Sequence, residues 1–446
     1  MKWPDGPQTS ELVQTIQLIV NPLEYLDKCH QSYGDIFTIR FIGFPPLVVF
    51  SHPQGIEEIF AADQELFKSG QANKIAQPIF GANSLLLMDG NRHQQQRRLL
   101  TPPFHGERMR AYGQLICDIT QQVMSQWTVA QPFNVRSSMQ EVSLQVILRA
   151  VFGLNSGARF QQLKQLLSSM ISAFSSPWRS SFLFIRALQR DLGPWSVWGG
   201  FVRQRMLADE LIYAEIRRRR DDPSLFGEDI LSLMMTARDQ AGQPMTDVEL
   251  RDELMTLLVA GYDTTTTALS WALYWIHYLP QVHEKLMAEL DSLGSEPEPT
   301  AIARLPYLSA VCSETLRIYP VALFAFSRIV QAPIQIMGYQ FEPGTLLNPC
   351  IYLTHQREDL YPDPQRFRPE RFLERQFSPY EFLPFGGGNR RCIGMALAQF
   401  EMKLVLATLL SNLQLALADL RQVKPVRRGG TIAPPGNLRL ILTGQR

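Results

Sequence analysis

The sequence lacks any apolar run of the ~18 residues that a membrane-spanning helix needs. No basic segment followed by an apolar stretch stands at its start, so no secretion signal is read there. It opens instead on Trp3-Pro4-Asp5-Gly6-Pro7, a rigid and extended lead-in. Net charge is almost absent, since 43 Lys and Arg against 42 Asp and Glu leave +1. That balance excludes the basic surface of a nucleic-acid binder. Cysteine is scarce: Cys29, Cys117, Cys312, Cys350 and Cys392 are widely separated and odd in number. They fit free thiols in a reducing compartment, the cytoplasm, and not a disulfide framework. Repeats, low-complexity stretches and an interdomain linker are missing too. What remains is 446 residues with a hydrophobic content of 45%, the composition of a globular enzyme.

The stretch with the most chemistry is Phe385-Gly386-Gly387-Gly388-Asn389-Arg390-Arg391-Cys392-Ile393-Gly394. Three glycines and two arginines lead into a cysteine, and a helical run, Met395 to Leu410, follows. Glycines let several N–H groups turn toward one sulfur. A cysteine at a helix N-terminus beside arginines is biased to the thiolate. A phosphate loop would end Gly-Lys-Ser/Thr, and this one ends Arg-Arg-Cys. A zinc site needs further ligands nearby, and none are present. A buried structural cysteine leaves the glycines and arginines unexplained. A lone thiolate with backbone hydrogen bonds suits the single proximal ligand of a haem iron. The pattern Phe-x-x-Gly-x-Arg-x-Cys-x-Gly resembles the haem-binding signature of the cytochrome P450 family, and every defined position is met.

Four more motifs stand in that family's order. His93 and Arg97 are four apart on one helix face, a solvated face when taken alone. Residues 247–279 predict the longest helix, begun by the capping box Thr246-Asp247-Val248-Glu249 and ended by Pro280. Its centre, Ala260-Gly261-Tyr262-Asp263-Thr264-Thr265-Thr266-Thr267, is poor in helix formers, as expected at a functional site. Glu314-Thr315-Leu316-Arg317 is an i, i+3 pair of a kind common on surfaces. Pro369-Glu370-Arg371-Phe372 lies in a loop rich in Pro and Phe.

The resemblance runs from about Pro4 to the C-terminus and gives these residues roles. It implies a mainly α fold with a small β-rich part, the triangular helical prism of the family, as one catalytic domain over residues 1–446. Haem b would be ligated by Cys392 and held by His93, Arg97, Ala260, Arg328, Phe385, Arg390 and Gly394. Asp263 and Thr264 would deliver protons to bound oxygen, where the long helix opens. Glu314, Arg317 and Arg371 would be structural, and Val321, Leu323 and Phe324 would face substrate. The implied reaction is monooxygenation of an apolar small molecule by O2, a long-chain fatty acid or a terpenoid. No flavin domain or second cysteine cluster is present, so electrons would come from a ferredoxin or flavodoxin with an NAD(P)H-dependent reductase. Arg391, Arg427 and Arg428, expected on the proximal side, would steer an acidic carrier. The N-terminal anchor helix of many eukaryotic members is missing, which points to a soluble, bacterial-type enzyme, expected to be a monomer. A peroxide-driven peroxygenase and a non-catalytic haem sensor or electron carrier are the alternatives. Asp263 and Thr264 argue against the first.

Local patterns fill in the rest. Residues 8–32 read as helical, with Leu12, Ile16, Ile19 and Val20 as a stripe that suits a docked terminal helix, the alternative being a membrane-surface helix. Ile36–Ile42 and Leu47–Phe50 predict a β-hairpin. Residues 105–155 and 158–220 read as long helical segments. The second carries Phe174, Trp178, Phe182, Phe184, Trp195, Trp198 and Phe201, core residues or a jointed lid over an apolar channel. Arg217–Arg220 reads as a solvated face. Gly429–Thr443, with Pro434-Pro435-Gly436-Asn437 inside it, predicts a closing hairpin.

Overall fold

The computed structural model of the chain describes residues 3–104, 106–153, 157–173, 189–193, 195–294 and 297–446. Eleven helices of ten residues or more lie among them. They are α1 (Glu11–Val20), α2 (Pro22–Tyr33), α3 (Gly90–Leu100), α4 (Glu107–Met124), α5 (Val135–Phe152), α6 (Ala158–Ala173), α7 (Val197–Asp221), α8 (Asp247–Tyr278), α9 (Pro280–Asp291), α10 (Pro306–Ile318) and α11 (Met395–Asn412).

The helix α8 is the axis of the main core. Its start is fixed reciprocally: Glu249 N–H donates to Thr246 Oγ1 at 3.2 Å, and Thr246 N–H donates to Glu249 Oε2 at 3.0 Å. Its end is set by Pro280, which forces Leu279 into an extended conformation. Thirty-two residues at 1.5 Å each span about 48 Å. α8 packs along α5 and also meets α7, α10 and α11. Its middle does not break open. Each threonine hydroxyl returns to the carbonyl four residues back: Thr264 to Ala260 at 2.6 Å, Thr265 to Gly261 at 3.0 Å, Thr266 to Tyr262 and Thr267 to Asp263 at 2.9 Å. The ladder is reinforced where an opening is expected.

A five-stranded sheet of order β1-β2-β8-β5-β3 carries the N-terminal lead-in. Its strands are β1 (Ile36–Ile39), β2 (Leu47–Phe50), β3 (Phe67–Lys68), β5 (Arg328–Val330) and β8 (Leu346–Pro349). β1 and β2 form the expected hairpin, and β2 runs parallel to β8. β4 (Pro132–Asn134), β9 (Leu413–Leu417) and β12 (Arg439–Gln445) make a second sheet. β6 (Ile334–Ile336) pairs with β7 (Tyr339–Phe341), and β10 (Val426–Arg428) with β11 (Thr431–Ala433).

Several expectations need correction. Residues 105–155 do not form one helical stretch, because Pro132 opens β4, which pairs with β12 between α4 and α5. The closing hairpin turns at Gly429-Gly430, and the runs on either side of Pro434–Asn437 belong to different sheets. Arg219 is buried, not solvated. It donates to Glu215 at 2.9 Å, Asp229 at 2.6 Å, Ser232 at 2.7 Å and the Phe152 carbonyl. It thereby ties α7 to the end of α5. Trp198 and Phe201 are core residues and Trp195 is exposed. Phe174, Trp178, Phe182 and Phe184 lie outside the described residues.

The α1 stripe also faces the other way. Gln14 is the buried residue of α1, while Leu12 is 55% and Val20 52% exposed. The cause is hydrogen bonding. The Gln14 amide donates to the carbonyls of Pro7 and Thr9, and it accepts from Tyr25 Oη and Arg40 N–H. Four satisfied bonds outweigh the burial of a short apolar stripe.

Candidate active site

The loop before α11 has the backbone that its glycines permit. Gly386 and Gly388 have φ of 66° and 60°, where side chains are disfavoured. Gly387 lies so close to Phe60 that an added Cβ would fall 2.3 Å from its ring. Cys392 N–H closes the loop on Phe385 O at 3.0 Å. Of the five cysteines, Cys392 alone is exposed. The Gly394 N–H and the charges of Arg97 and Arg391 nonetheless stand close to its sulfur. The expected thiolate bias is overruled by position. Burial pushes the thiol pKa up, against the Gly394 N–H and the charges of Arg97 and Arg391, which favour the thiolate. A thiolate here calls for a metal cation, which deprotonates a coordinating thiol outright.

Around this loop the structure gathers four of the expected residues. His93 and Arg97 stand on α3, Arg328 on β5 and Arg390 on the cysteine loop. They crowd one another. Burial, with Arg390, Arg97 and Arg328 nearby, pushes the His93 pKa down to about 3. Burial and Arg390 push Arg328 down to about 9, and burial chiefly lowers Arg390 to about 10. Arg390 donates to Leu85 O at 3.2 Å and Asp89 Oδ1 at 2.8 Å, yet its buried Nε has no partner. Asp89 also accepts from the N–H groups of Gly70 and Gln71. Such crowding is costly unless anions share the site. The two propionates of a haem fit this need.

One side of α8 is marked by exposure. Ala260 and Thr264 are exposed in a helix that is otherwise largely buried. Asp263 points elsewhere and ion-pairs with Arg136 Nη2 on α5. Arg136 Nη1 also donates to Thr267 Oγ1 at 3.2 Å. Sequence reasoning missed Arg136, and nothing in Asn134-Val135-Arg136-Ser137 signals its partner. It missed Asp89 as well, which its place before Gly90 and α3 could have flagged.

Glu314 and Arg317 are both fully buried. Arg317 grips Glu314 through Nε at 2.6 Å and Nη2 at 2.9 Å, while Arg371 Nε donates to Glu314 Oε1 at 3.1 Å. The remaining donors reach backbone carbonyls of the Pro-rich loop and of the short helix Ile351–His355. Arg317 reaches His355 and Pro364, and Arg371 reaches Pro362 and Asp363. A buried ion cluster satisfied this fully is a fixed joint between α10 and the loop.

Val321 borders the main core, where its carbonyl accepts Ile432 N–H of β11 at 3.0 Å. Leu323 and Phe324 pack instead against the cluster of Tyr25, Leu26 and Phe37. Arg391 is exposed beside a hollow lined by Phe60, Tyr380, Phe385 and Met395. Arg427 and Arg428 do not join it. They lie on β10, whose partner β11 packs on α8, and Arg428 feels the charges of Arg136 and Asp263.

Taken together, an exposed cysteine in a glycine loop, a crowded cation cluster and a threonine-lined helix face define a haem-thiolate protein. The sequence matches the Cytochrome P450 family over residues 4–442. The protein named "Putative cytochrome P450 135B1" of Mycobacterium tuberculosis is 36% identical over 448 residues, covering 100% of this chain and 92% of its own length. "Putative cytochrome P450 135A1" of the same organism is 32% identical, covering 99% and 96%. Among solved structures, a retinoic-acid-bound cyanobacterial CYP120A1 aligns with a TM-score of 0.85 at 26% identity, covering 100% of both chains. The haem domain of cytochrome P450DA aligns with a TM-score of 0.84 at 23% identity, covering 100% and 96%, and bears on the fold alone. The chain belongs to the cytochrome P450 family. It has that family's fold and cofactor, haem b, and it is a monooxygenase that uses O2, redox partners and a small-molecule substrate. Among the described residues, no helix is long and apolar enough to cross a membrane.

Proposed function

We propose that this chain, as one cytoplasmic, monomeric catalytic domain, hydroxylates or epoxidises an apolar substrate, a long-chain fatty acid or a terpenoid. When bound, the haem supplies the reduction of O2 and the transfer of one oxygen atom to substrate. Two electrons and two protons balance the second oxygen as water. The residues of the chain do the rest. Cys392 ligates the iron, with the Gly394 N–H and Arg97 favouring its anion. His93, Arg97, Arg328 and Arg390 would hold the propionates, Phe385 and Gly394 would shape the loop, and Ala260 would border the haem from α8. Thr264 would hold a water, and Asp263, turned from it toward Arg136, would pass it protons on leaving that ion pair. Val321 borders the substrate. Leu323 and Phe324 support the wall behind it.

The observation that carries the reading is the exposed Ala260–Thr264 face on an otherwise buried helix, one residue from an ion-paired carboxylate. The substrate class is supported by the 26% identical relative solved with retinoic acid, an apolar terpenoid acid. Arg391, exposed beside the cysteine loop, supports an acidic ferredoxin or flavodoxin as the donor. The test is a library of fatty acids and terpenoids screened for the shift of the haem to high spin. NAD(P)H consumption with purified carriers follows. A hit should raise consumption and yield oxygenated product. If no apolar compound shifts the haem while polar ones do, the substrate class is wrong.

A further inference from the structure

A cavity away from Cys392 carries cationic side chains among its described lining residues. It measures about 370 Å3, of a size that takes small ligands. It lies between residues 74–82 and α7, lined by Lys74, Gln77, Pro78, Gly81, Gln189 and Arg205. Among its described lining residues two are cations and none is an acid, although the Asp252 carboxylate backs Gly81.

Lys74 is exposed and unpaired among the described residues, and Arg205 has one long ion pair, to Asp209. Arg205 Nη1 donates to Pro78 O at 2.7 Å, which fixes the wall. Its Nε is buried with no hydrogen-bond partner. The nearest carboxylate oxygen, Asp209 Oδ2, is 3.5 Å from that nitrogen, and the other Asp209 oxygen is gripped by Arg251. A buried N–H without a partner is costly. A planar fork beside a lysine, with apolar Ile75, Pro78 and Ala82 around it, suits a carboxylate on an apolar chain.

The cavity also stands at a useful distance. Gly81 presses on α8, where an added Cβ would lie 2.0 Å from Asp252 Oδ1. Ala260 is eight residues further along that helix, about 12 Å of rise. An acyl or isoprenoid chain of moderate length spans that.

We propose that Lys74 and Arg205 form a carboxylate-binding subsite that selects apolar acids over the matching alcohols. The proposal rests on the apolar-substrate reading above. The test uses the haem-loaded full chain with two acid–alcohol pairs: dodecanoic acid with 1-dodecanol, and retinoic acid with retinol. Affinity is read by the spin-state shift and, independently, by equilibrium dialysis. At least one acid should bind about tenfold or more tightly than its alcohol, as expected for a charge-assisted bond. Arg205→Gln and Lys74→Gln should each remove most of that preference and leave alcohol affinity within about twofold. High salt should weaken the acid alone, since the subsite is partly exposed. Equal binding of acid and alcohol would overturn the subsite, as would variants that weaken both alike. If the alcohols bind and the acids do not, the subsite falls and the apolar-substrate reading stands. If no member of either pair binds, both fall together.

Discussion

Arg136 clamps Asp263 and Thr267, one turn apart on α8, with a single guanidinium. The acid of the proposed proton relay is therefore held from a second helix, α5. Removing the clamp should leave haem binding and the substrate-induced spin shift in place. Product formation by Arg136→Ala should fall by about 10²-fold or more, the range of a mispositioned proton-transfer group. Stopped-flow reduction separates this from slow electron entry. Unchanged turnover would make the clamp purely architectural.

Thr264→Ala should keep haem and substrate binding nearly intact. NAD(P)H should still be consumed, with oxygen leaving as hydrogen peroxide and not entering product. The ratio of product to NAD(P)H is the measurement. Full coupling in the variant would assign the water-holding role to another group.

Cys392→Ser should abolish the far-red-shifted Soret band of the ferrous carbon monoxide complex. Because burial disfavours the free thiolate, apoprotein Cys392 should also react slowly with thiol reagents below its raised pKa. Rapid alkylation of apoprotein at neutral pH would contradict this.

Glu314→Ala strands Arg317 and Arg371 without their shared carboxylate. Breaking a buried ionic joint costs roughly 3–5 kcal/mol. The variant should accumulate little haem-loaded protein at 37 °C-like growth temperatures and more when grown cold. Parent-like yield and melting temperature would show the joint to be dispensable.

Glu253 predicts a pH dependence. It is fully buried on α8, and neither carboxyl oxygen has a well-formed hydrogen bond, though Gln96 and the Leu85 N–H are near. Burial pushes its pKa up to about 8 from the ordinary 4.5. The folded chain thus keeps a proton that the unfolded chain loses. Stability falls as pH rises between those values, by at most about 1.4 kcal/mol per pH unit, and levels off above. Glu253→Gln should flatten part of that slope. Glu401, raised the same way by burial beside Ser143, supplies another part. Urea midpoints at pH 5 and pH 8 decide it: the variant should gain on the parent at pH 8 only.

The parts legible in the sequence are those fixed by neighbours along the chain. A capping box and a proline bound α8 to within a residue. The cysteine loop is readable because its glycines answer to positive φ and to Phe60. The meeting of His93, Arg97, Arg328 and Arg390 was legible through the family pattern alone, since three elements contribute to it. Long-range pairing hid the rest. Arg136 finds Asp263 from 127 residues away. Arg219 looks like one of four solvated arginines until Asp229 and Phe152 arrive beside it. Arg427 and Arg428 lie away from the cysteine loop because β11, the partner of their strand, packs on α8, a contact between segments far apart in sequence. In α1, periodicity locates the stripe and not its direction, which Gln14 decides.

The threonine run of α8 has a mechanical consequence. Four successive carbonyls, from Ala260 to Asp263, each hold a side-chain hydroxyl in addition to their place in the helix. If that turn is pushed outward and a backbone N–H lets go, the carbonyl it leaves is still hydrogen-bonded. Deformation there strands fewer acceptors than anywhere else along the rod. A guest that bends this reinforced turn would therefore leave few carbonyls bare, while the capping box and Pro280 hold the two ends still.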